Sequence, residues 1–292
     1  MGISNDSKVK LLQAVVYVVA LLTLVFYFDW SLLIYSLILG WFWFGIAGSL
    51  CLHKLSSHAV FVPKNRLIKW VLLWFGTIAT LGSTIGWAAG HREHHATTDK
   101  KTDPHRPYGS LFHKFKMWFY YFPTWVIDPM LVKDLATDPD HRFFHRNYYK
   151  VIFVYMLILG LIDIRFIGYF YAVPVLCTLF GISWATVIAH VPQLGYLSWR
   201  TYNTDDYTYN SNFWNVLLIG EGYHNTHHAC PWLWNLAINK GEWDMAAWII
   251  KLIGHPNSKP PLPHPPIRTG KALRKELQAV KTKLRKDNHE EN

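Results

Sequence analysis

Nine of the 16 histidines dominate the chemistry that this sequence could perform. They stand in the segments HKLSSH, HREHH and HNTHH and in a single IAHVP: His53, His58, His91, His94, His95, His190, His224, His227 and His228. On an α-helix, positions i, i+3 and i+4 share one face, so each HxxHH segment can direct three imidazoles to one place. Neutral imidazole is a good ligand for iron, zinc, copper or nickel. Because nine ligands exceed what one tetrahedral or octahedral ion can use, the sequence predicts two metal ions.

The first histidine pair and the other histidines need separate interpretations. His53 and His58 are five residues apart, about 140° around an ideal α-helix, so this pair is predicted to straddle a helix end. The other histidines are expected to be structural or solvent-exposed: His105, His113, His141, His145, His255, His264 and His289. Cys51 and Cys230 are predicted to be small apolar core residues, because a thiolate beside an oxygen-activating metal would be oxidised.

The carboxylates near the histidines narrow the type of metal site. Carboxylate-bridged di-iron bundles need glutamates from several helices and paired Glu-x-x-His motifs. Here only Glu93 and Glu221 touch a histidine segment, and only Glu221 forms such a motif, with His224. The predicted site is therefore rich in nitrogen ligands. Zinc hydrolysis normally uses three protein ligands, which would leave most of the nine histidines unexplained.

Long apolar segments must position these histidines. Hydrophobic residues make up 51% of the chain and charged residues 16%, whereas soluble domains carry about 25% charged residues. A spanning helix needs about 20 mostly apolar residues. Four segments are predicted to span a membrane: 11–28, 30–51, 151–162 with an interfacial extension over 148–150, and 166–189. The nine histidines stand at or just beyond the ends of apolar segments.

The positive charges predict the orientation of these segments. All Lys and Arg residues except Arg165 lie outside the two apolar hairpins 11–51 and 151–189, so the regions between and around the hairpins are predicted to be cytoplasmic. A fifth span at 67–89 would separate two basic regions, so this segment is predicted to be interfacial, half-buried or re-entrant. The predicted fold is an all-α integral membrane protein with four transmembrane helices in two hairpins, interfacial helices and a cytoplasmic histidine-rich cap. Both termini and the active site are predicted to be cytoplasmic.

The C-terminal region differs from the rest in composition. The sequence predicts a membrane domain over 1–255, followed by a Pro-rich linker and a basic amphipathic tail over 256–292. The apolar face of the tail helix consists of Leu273, Leu277, Val280 and Leu284. This helix is expected on the membrane surface or loosely solvated. The net charge of +10 suits anionic lipid or an acidic protein partner, and nucleic acid is not predicted because the basic residues do not sit on a soluble domain.

The three histidine segments, together with TDPHRP after the second, resemble the histidine boxes of the membrane fatty acid desaturase family, and in particular its delta-9, stearoyl-CoA-like members. The resemblance covers roughly residues 10–245. It implies a di-iron centre that uses molecular oxygen to insert a double bond, at delta-9, into a saturated acyl chain. The implied iron ligands are the eight box histidines, and His190 matches an extra histidine at the end of the fourth span.

The sequence departs from this family pattern at two places. Thr186 stands where stearoyl-type members usually carry an asparagine that holds a water ligand. Animal acyl-CoA desaturases carry Arg-Asp before the second box, where this chain has Trp87 followed by Ala-Ala-Gly. The substrate is therefore either an acyl-CoA or an acyl-lipid. Thr186, Asn225 and Glu221 are candidates to support the metal ligands, and Trp87 is a candidate to contact the substrate.

Electrons must come from a separate protein, because the chain has neither a Rossmann glycine fingerprint nor a cysteine cluster. The resemblance implies a ferredoxin or cytochrome b5 as donor. The alternative function within the class is a di-iron hydroxylase acting on a lipid, an alkane or a carotenoid. The more distant alternative is a membrane metal transporter, which would carry ionisable residues inside its spans.

Overall fold

The computed structural model describes residues 7–106, 128–190, 197–264, 266–267 and 269–290, most of them in helices. The α-helices are α1 Ser7–Phe26, α2 Trp30–Trp43, α3 Arg66–Ile78, α4 Thr84–Thr97, α5 Lys133–Thr137, α6 Pro139–Arg146, α7 Tyr148–Ile162, α8 Ile164–Ile167, α9 Val173–His190, α10 Asn212–Leu217, α11 His224–Ala229, α12 Met245–Ile253 and α13 Gly270–Glu290. Segments of π-helix and 3-10 helix are Phe44–Ser57, Pro129–Val132 and Gly168–Ala172. The strands form two antiparallel pairs: β1 Phe61–Pro63 with β4 Gly254–Pro256, and β2 Ser198–Trp199 with β3 Asn210–Ser211.

Within the described part of the chain, three helical stretches are long and apolar enough to cross a membrane: Lys8–Phe26, Trp30–Ser57 and Ile164–His190. Helix α7 is also apolar but has only 15 residues. An aspartate begins the second helix of each apolar hairpin. Asp29 accepts a hydrogen bond from the backbone of Leu32 at 3.0 Å, and Asp163 accepts one from Arg165 at 2.9 Å. Such N-caps stabilise a helix start where backbone N–H groups otherwise lack partners.

The apolar segment 67–89 does not form one helix. It divides into α3 and α4 at residues 79–83, where Thr80 (φ 62°) and Gly82 (φ 91°) adopt left-handed backbone conformations. Ser83 then caps α4 by accepting a hydrogen bond from Gly86 N at 3.2 Å. Because of this break, no single helix runs through 67–89. This agrees with the prediction that 67–89 is not a fifth spanning helix.

Helix α2 and the π-helix Phe44–Ser57 that continues it pack closely against α9 and run parallel to it. Gly40 faces Cys177 and Gly48 faces Ile182, and an added Cβ at these glycines would lie 2.6 Å and 3.1 Å from the facing side chain. The contacts ascend together along both helices, so the two C-terminal ends lie at the same end of the bundle. This packing therefore brings together the histidines that follow α2 and the one that ends α9.

The predicted amphipathic tail is helix α13, but its apolar face does not lie on a membrane or in solvent. Val280 and Leu284 are buried against Tyr207, with Leu277 packed beside them. Leu273 is also buried. The helix thus docks on the segment that follows α9, and the proline-containing stretch leads back to the body of the protein.

Candidate metal centre

The structure brings all nine histidines of the predicted site together, in two groups. In each group the ligand nitrogens lie within 4.8 Å of one another. The five-histidine group contains His53, His58, His91, His95 and His227. The four-histidine group contains His94, His190, His224 and His228. Two groups of this size match the two metal ions that the sequence predicts.

Spacing between the Nε2 atoms fits one ion in each group. In the five-histidine group, Nε2 of His227 lies 2.9 Å from Nε2 of both His53 and His95. In the four-histidine group, Nε2 of His224 lies 3.0 Å from that of His190 and 3.1 Å from that of His228. Imidazole nitrogens bind at about 2.0–2.1 Å in zinc sites, so neighbouring ligands of one such ion are about 3 Å apart. The residues therefore fit a pair of metal ions.

His53 and His58 are brought together by a π-helix. His53 lies in its last turns, and the backbone N–H of His58, which caps its end, donates to the carbonyl of His53 at 3.2 Å. A π-turn hydrogen bond spans five residues, so it brings residues five apart close to each other. The pair straddles a helix end, as the spacing predicts, although the sequence did not predict the π-turns.

Each HxxHH helix serves both groups. On α4, His91 and His95 belong to the five-histidine group and His94 to the four-histidine group. On α11 the division is reversed, since His224 and His228 belong to the four-histidine group. Each of these two helices therefore supplies ligands to both groups and links their positions.

Burial keeps most of these imidazoles neutral. It lowers the pKa well below the usual 6.5, with neighbouring histidines adding to the effect, for His58, His91, His95, His224, His227 and His228. A histidine ligates a metal in its neutral form. These six histidines, which lie outside the apolar spans, therefore favour the protonation state that metal binding requires.

Four carboxylates stand behind the rings, each facing an Nδ1 atom. Nδ1 of His53 lies 2.7 Å from Glu221, and Nδ1 of His94 lies 2.8 Å from Asp103. Nδ1 of His190 is 3.2 Å from Asp99, and Nδ1 of His228 is 3.5 Å from Asp206. Carboxylates in this position fix the tautomer and orient Nε2 toward a metal.

Three of these carboxylates favour the ionised form although they are buried: Asp103, Asp206 and Glu221. Burial opposes ionisation of Asp103, but the adjacent His94 and His105 lower its pKa to about 2. Burial also opposes ionisation of Asp206 and Glu221, and their neighbours, chiefly Arg200 and His53, lower the pKa in each case. Negative charges behind the two histidine groups favour a bound cation.

Sequence patterns missed three carboxylates beside the site and did not place His105 against it. Asp99, Asp103 and Asp206 were not predicted, although Asp99 and Asp103 follow the second histidine segment closely. His105 was expected to be structural or exposed, yet it is buried with its ring centroid 5.1 Å from that of His94. Burial lowers the pKa of His105 to about 3. It lies against the site because the turn after α4 folds back on that helix.

The other histidines and the cysteines lie elsewhere. His141 and His145 contact Thr84 and Ser83 at the start of α4, at 3.0 Å and 2.6 Å. His255 and His264 are exposed, and Cys51 and Cys230 are buried in apolar clusters. His113 and the side chain of His289 lie outside the described residues.

A small cavity of about 50 Å³ adjoins both groups. Trp87 lines it and stacks on His91, with ring centroids 5.0 Å apart and an interplanar angle of 12°. Thr186 also lines it, and its hydroxyl donates to the carbonyl of Ile182 at 3.1 Å. Asn225 instead orders the chain beside α11, where its side-chain oxygen accepts from the backbone N–H groups of residues 201 and 202 at 2.9 Å and 2.8 Å.

Comparison with known proteins decides the family. A model of the fatty acid desaturase family matches residues 12–237. The chain belongs to the fatty acid desaturase family. This confirms the resemblance predicted from the histidine boxes, and it identifies the protein as an oxidoreductase. Its apolar helices agree with a membrane location.

Individual desaturases match most of the chain. The chain is 30% identical over 232 residues to a sn-1 stearoyl-lipid 9-desaturase from Anabaena variabilis, covering 77% of this chain and 82% of that protein. It is 30% identical over 236 residues to a sn-2 palmitoyl-lipid 9-desaturase from Nostoc sp., covering 78% and 80%. An icosanoyl-CoA 5-desaturase from Limnanthes douglasii is 27% identical over 247 residues, covering 78% and 64%.

Proposed function

We propose that this desaturase inserts a delta-9 double bond into a saturated acyl chain of a membrane lipid, using molecular oxygen and two iron ions held by the nine histidines. The observation that carries the proposal is the adjacent pair of buried imidazole groups, five and four, around one cavity. The relatives named as 9-desaturases support the position of the double bond. The nitrogen-rich ligand set suits iron among the metals that imidazole binds.

The protein's own residues would orient and shield the reaction. Two bound irons would supply the oxidising power that removes one hydrogen from each of two adjacent methylenes, with oxygen as the oxidant. Carboxylates such as Glu221 and Asp103 would hold the imidazole rings in place through Nδ1. The flat face of Trp87 against His91 limits the space in which a methylene chain can lie. Burial of both groups keeps water away from the reacting carbons.

Arg92, within the second box, is already paired inside the protein and does not suit recognition of CoA. The guanidinium of Arg92 donates to both Asp134 oxygens at 2.7 Å and 2.8 Å and to the carbonyl of Ser57 at 2.7 Å. Ala89 and Gly90, where animal acyl-CoA enzymes carry charge, are buried. CoA carries phosphates that call for placed cations. We therefore favour the acyl-lipid substrate that the relatives' names also suggest.

The acyl carrier can be tested on purified protein supplied with an electron donor and oxygen. We expect conversion of a stearoyl chain esterified in a membrane lipid, with little or none of stearoyl-CoA, because Arg92 is already paired. Mass spectrometry of the product should locate the double bond at delta-9. Conversion of stearoyl-CoA without added lipid substrate would contradict the lipid assignment, and a hydroxylated product would contradict desaturation.

The proposal includes the number of membrane spans and the side of the membrane on which the metal centre lies. We propose four spans, with α7 as the fourth beside the three long apolar stretches, and both termini and the metal centre on the cytoplasmic side. Residues 1–255 would form the desaturase domain, and residues 256–292 its linker and tail. Because the reaction needs two electrons from outside, a ferredoxin or a cytochrome b5 would dock on the cytoplasmic side.

Metal content gives a direct test. Protein purified from iron-replete cells should hold about two iron ions per chain, because each histidine group fits one ion. A chelator should remove both metal and activity, and ferrous iron should restore both. Retained activity with one zinc and no iron would contradict the di-iron centre.

A further inference from the structure

The C-terminal helix reaches the metal centre through one buried arginine. Arg200 is fully buried, and its Nε lies 2.9 Å from the carboxylate of Glu276 on α13. Its guanidinium also donates to the backbone carbonyls of Thr204 at 2.7 Å, Asp206 at 2.6 Å and Thr208 at 3.0 Å. Arg200 thereby closes the loop 200–208, which we call the clamp loop.

The clamp loop supports two ligands of the four-histidine group. Asp206 faces Nδ1 of His228 with its Oδ2 atom at 3.5 Å, while its Oδ1 atom accepts from Thr208 N at 3.0 Å. The backbone N–H of Tyr207 donates to Oδ2 of Asp99 at 2.7 Å. The other oxygen of Asp99 lies 3.2 Å from Nδ1 of His190. Both carboxylates that orient these histidines are therefore held by one loop.

The five-histidine group has a different support. Its carboxylate, Glu221, pairs with His53 and also accepts a hydrogen bond from Ser49. Neither serine nor glutamate belongs to the clamp loop or to α13. A series of contacts thus runs from α13 through Arg200 and the clamp loop to the four-histidine group.

We propose that Glu276 is a positioning residue that keeps the four-histidine group ready for its metal. Arg200 lies 3.9 Å from Oδ1 of Asp206, so its positive charge competes with His228 for that carboxylate. Glu276 balances this charge from the other side. Without Glu276, the guanidinium would draw Asp206 toward itself, and Nδ1 of His228 would lose its carboxylate partner while keeping only the hydroxyl of Thr98, at 3.4 Å. This inference rests on the proposed metal centre.

The test measures metal affinity in the full-length protein, stripped of metal and titrated with Co²⁺ by calorimetry and visible spectroscopy. The parent should bind two ions. Glu276→Ala should lower the affinity for one of the two ions by about tenfold, which is the lower end of the effect of losing a group that orients a metal ligand. It should change the visible spectrum of that cobalt ion alone. The other ion should bind as in the parent.

One further variant is a control, and two double variants show which histidine group is affected. Lys283→Ala removes an exposed contact between the same helix and Asp205, so it should bind both ions as the parent does. In a His58→Ala background, which disables the five-histidine group, the loss caused by Glu276→Ala should persist. In a His228→Ala background it should disappear, because the affected group is already disabled.

The outcomes separate this inference from the proposed centre. One outcome is that the parent binds two ions while Glu276→Ala binds both with unchanged affinity, or with affinities lowered equally. The positioning role of Glu276 is then wrong, and the proposed metal centre stands. If the parent binds no ions, both are wrong. Should Glu276→Ala not accumulate as folded protein, Glu276→Gln removes the charge while keeping the side-chain size, and the same outcomes decide.

Discussion

The single substitutions His58→Ala and His228→Ala, one in each histidine group, should each lower the desaturation rate by at least about 100-fold. Loss of a residue that only orients a metal ligand already lowers metal affinity or activity by about 10–100-fold. The two variants should differ in metal content. His58→Ala should lose the ion of the five-histidine group, and His228→Ala the ion of the four-histidine group. Product analysis after expression in a host without desaturases, together with metal analysis of the purified proteins, measures both effects.

The matched control is a histidine away from the centre. His264 is exposed and meets the ring of Tyr202 at a centroid distance of 5.5 Å. His264→Ala should keep both ions and the activity of the parent. Equal activity in all three variants would mean that the histidine groups are structural, and it would contradict the di-iron proposal.

The membership of the metal site could be predicted from the sequence, but its division into two groups could not. Spacings of three and four residues place imidazoles on one side of a helix. On an ideal helix, however, residues i and i+4 lie about 40° apart, whereas i+3 lies about 60° from i in the other direction. On α4 this offset separates His94 from His91 and His95. Only the contacts between the histidines of α4 and those of α11 reveal that two centres lie on the two sides of this offset.

The carboxylates behind the rings show a second limit. His190 and Asp99 are far apart in sequence yet pair at 3.2 Å, and His228 pairs with Asp206 across a loop. Such pairs depend on tertiary contacts, for which a single sequence carries no periodic signal. Asp103 is closer to its partner, nine residues from His94, and a turn after the second box could have indicated it.

The tail illustrates what an amphipathic pattern does and does not predict. Apolar residues at spacings of four and three predicted helix α13 and its buried face. The pattern does not identify the surface that covers this face, and here Tyr207 does so rather than a lipid. Buried Arg200 and its partner Glu276 gave no sequence signal, because isolated charged residues are usually solvent-exposed.

A buried ion pair beside the five-histidine group should control the stability of the fold. Nζ of Lys54 lies 3.6 Å from Oδ2 of Asp244, and both side chains are almost completely buried. Asp244 also begins helix α12 by accepting from Ala247 N at 3.0 Å, and it accepts from Leu236 N at 3.0 Å. Removing one partner of a buried pair costs about 3–5 kcal/mol, because the other charge is left without compensation.

Asp244→Ala should therefore lower the thermal midpoint of the purified protein by several degrees, and it should weaken metal binding at the five-histidine group because Lys54 follows His53 directly. Asp244→Asn keeps an acceptor for the helix cap but removes the charge, so the difference between the two variants measures the cap, about 0.5–2 kcal/mol. Asp205→Ala removes an exposed partner of Lys283 and should melt as the parent does.

If Asp244→Ala melted with the parent, the buried ammonium of Lys54 would have to be compensated by other groups, and the ion pair would not be the source of local stability. If Asp244→Asn melted with the parent while Asp244→Ala did not, the aspartate would act through its hydrogen bond to α12 rather than through its charge.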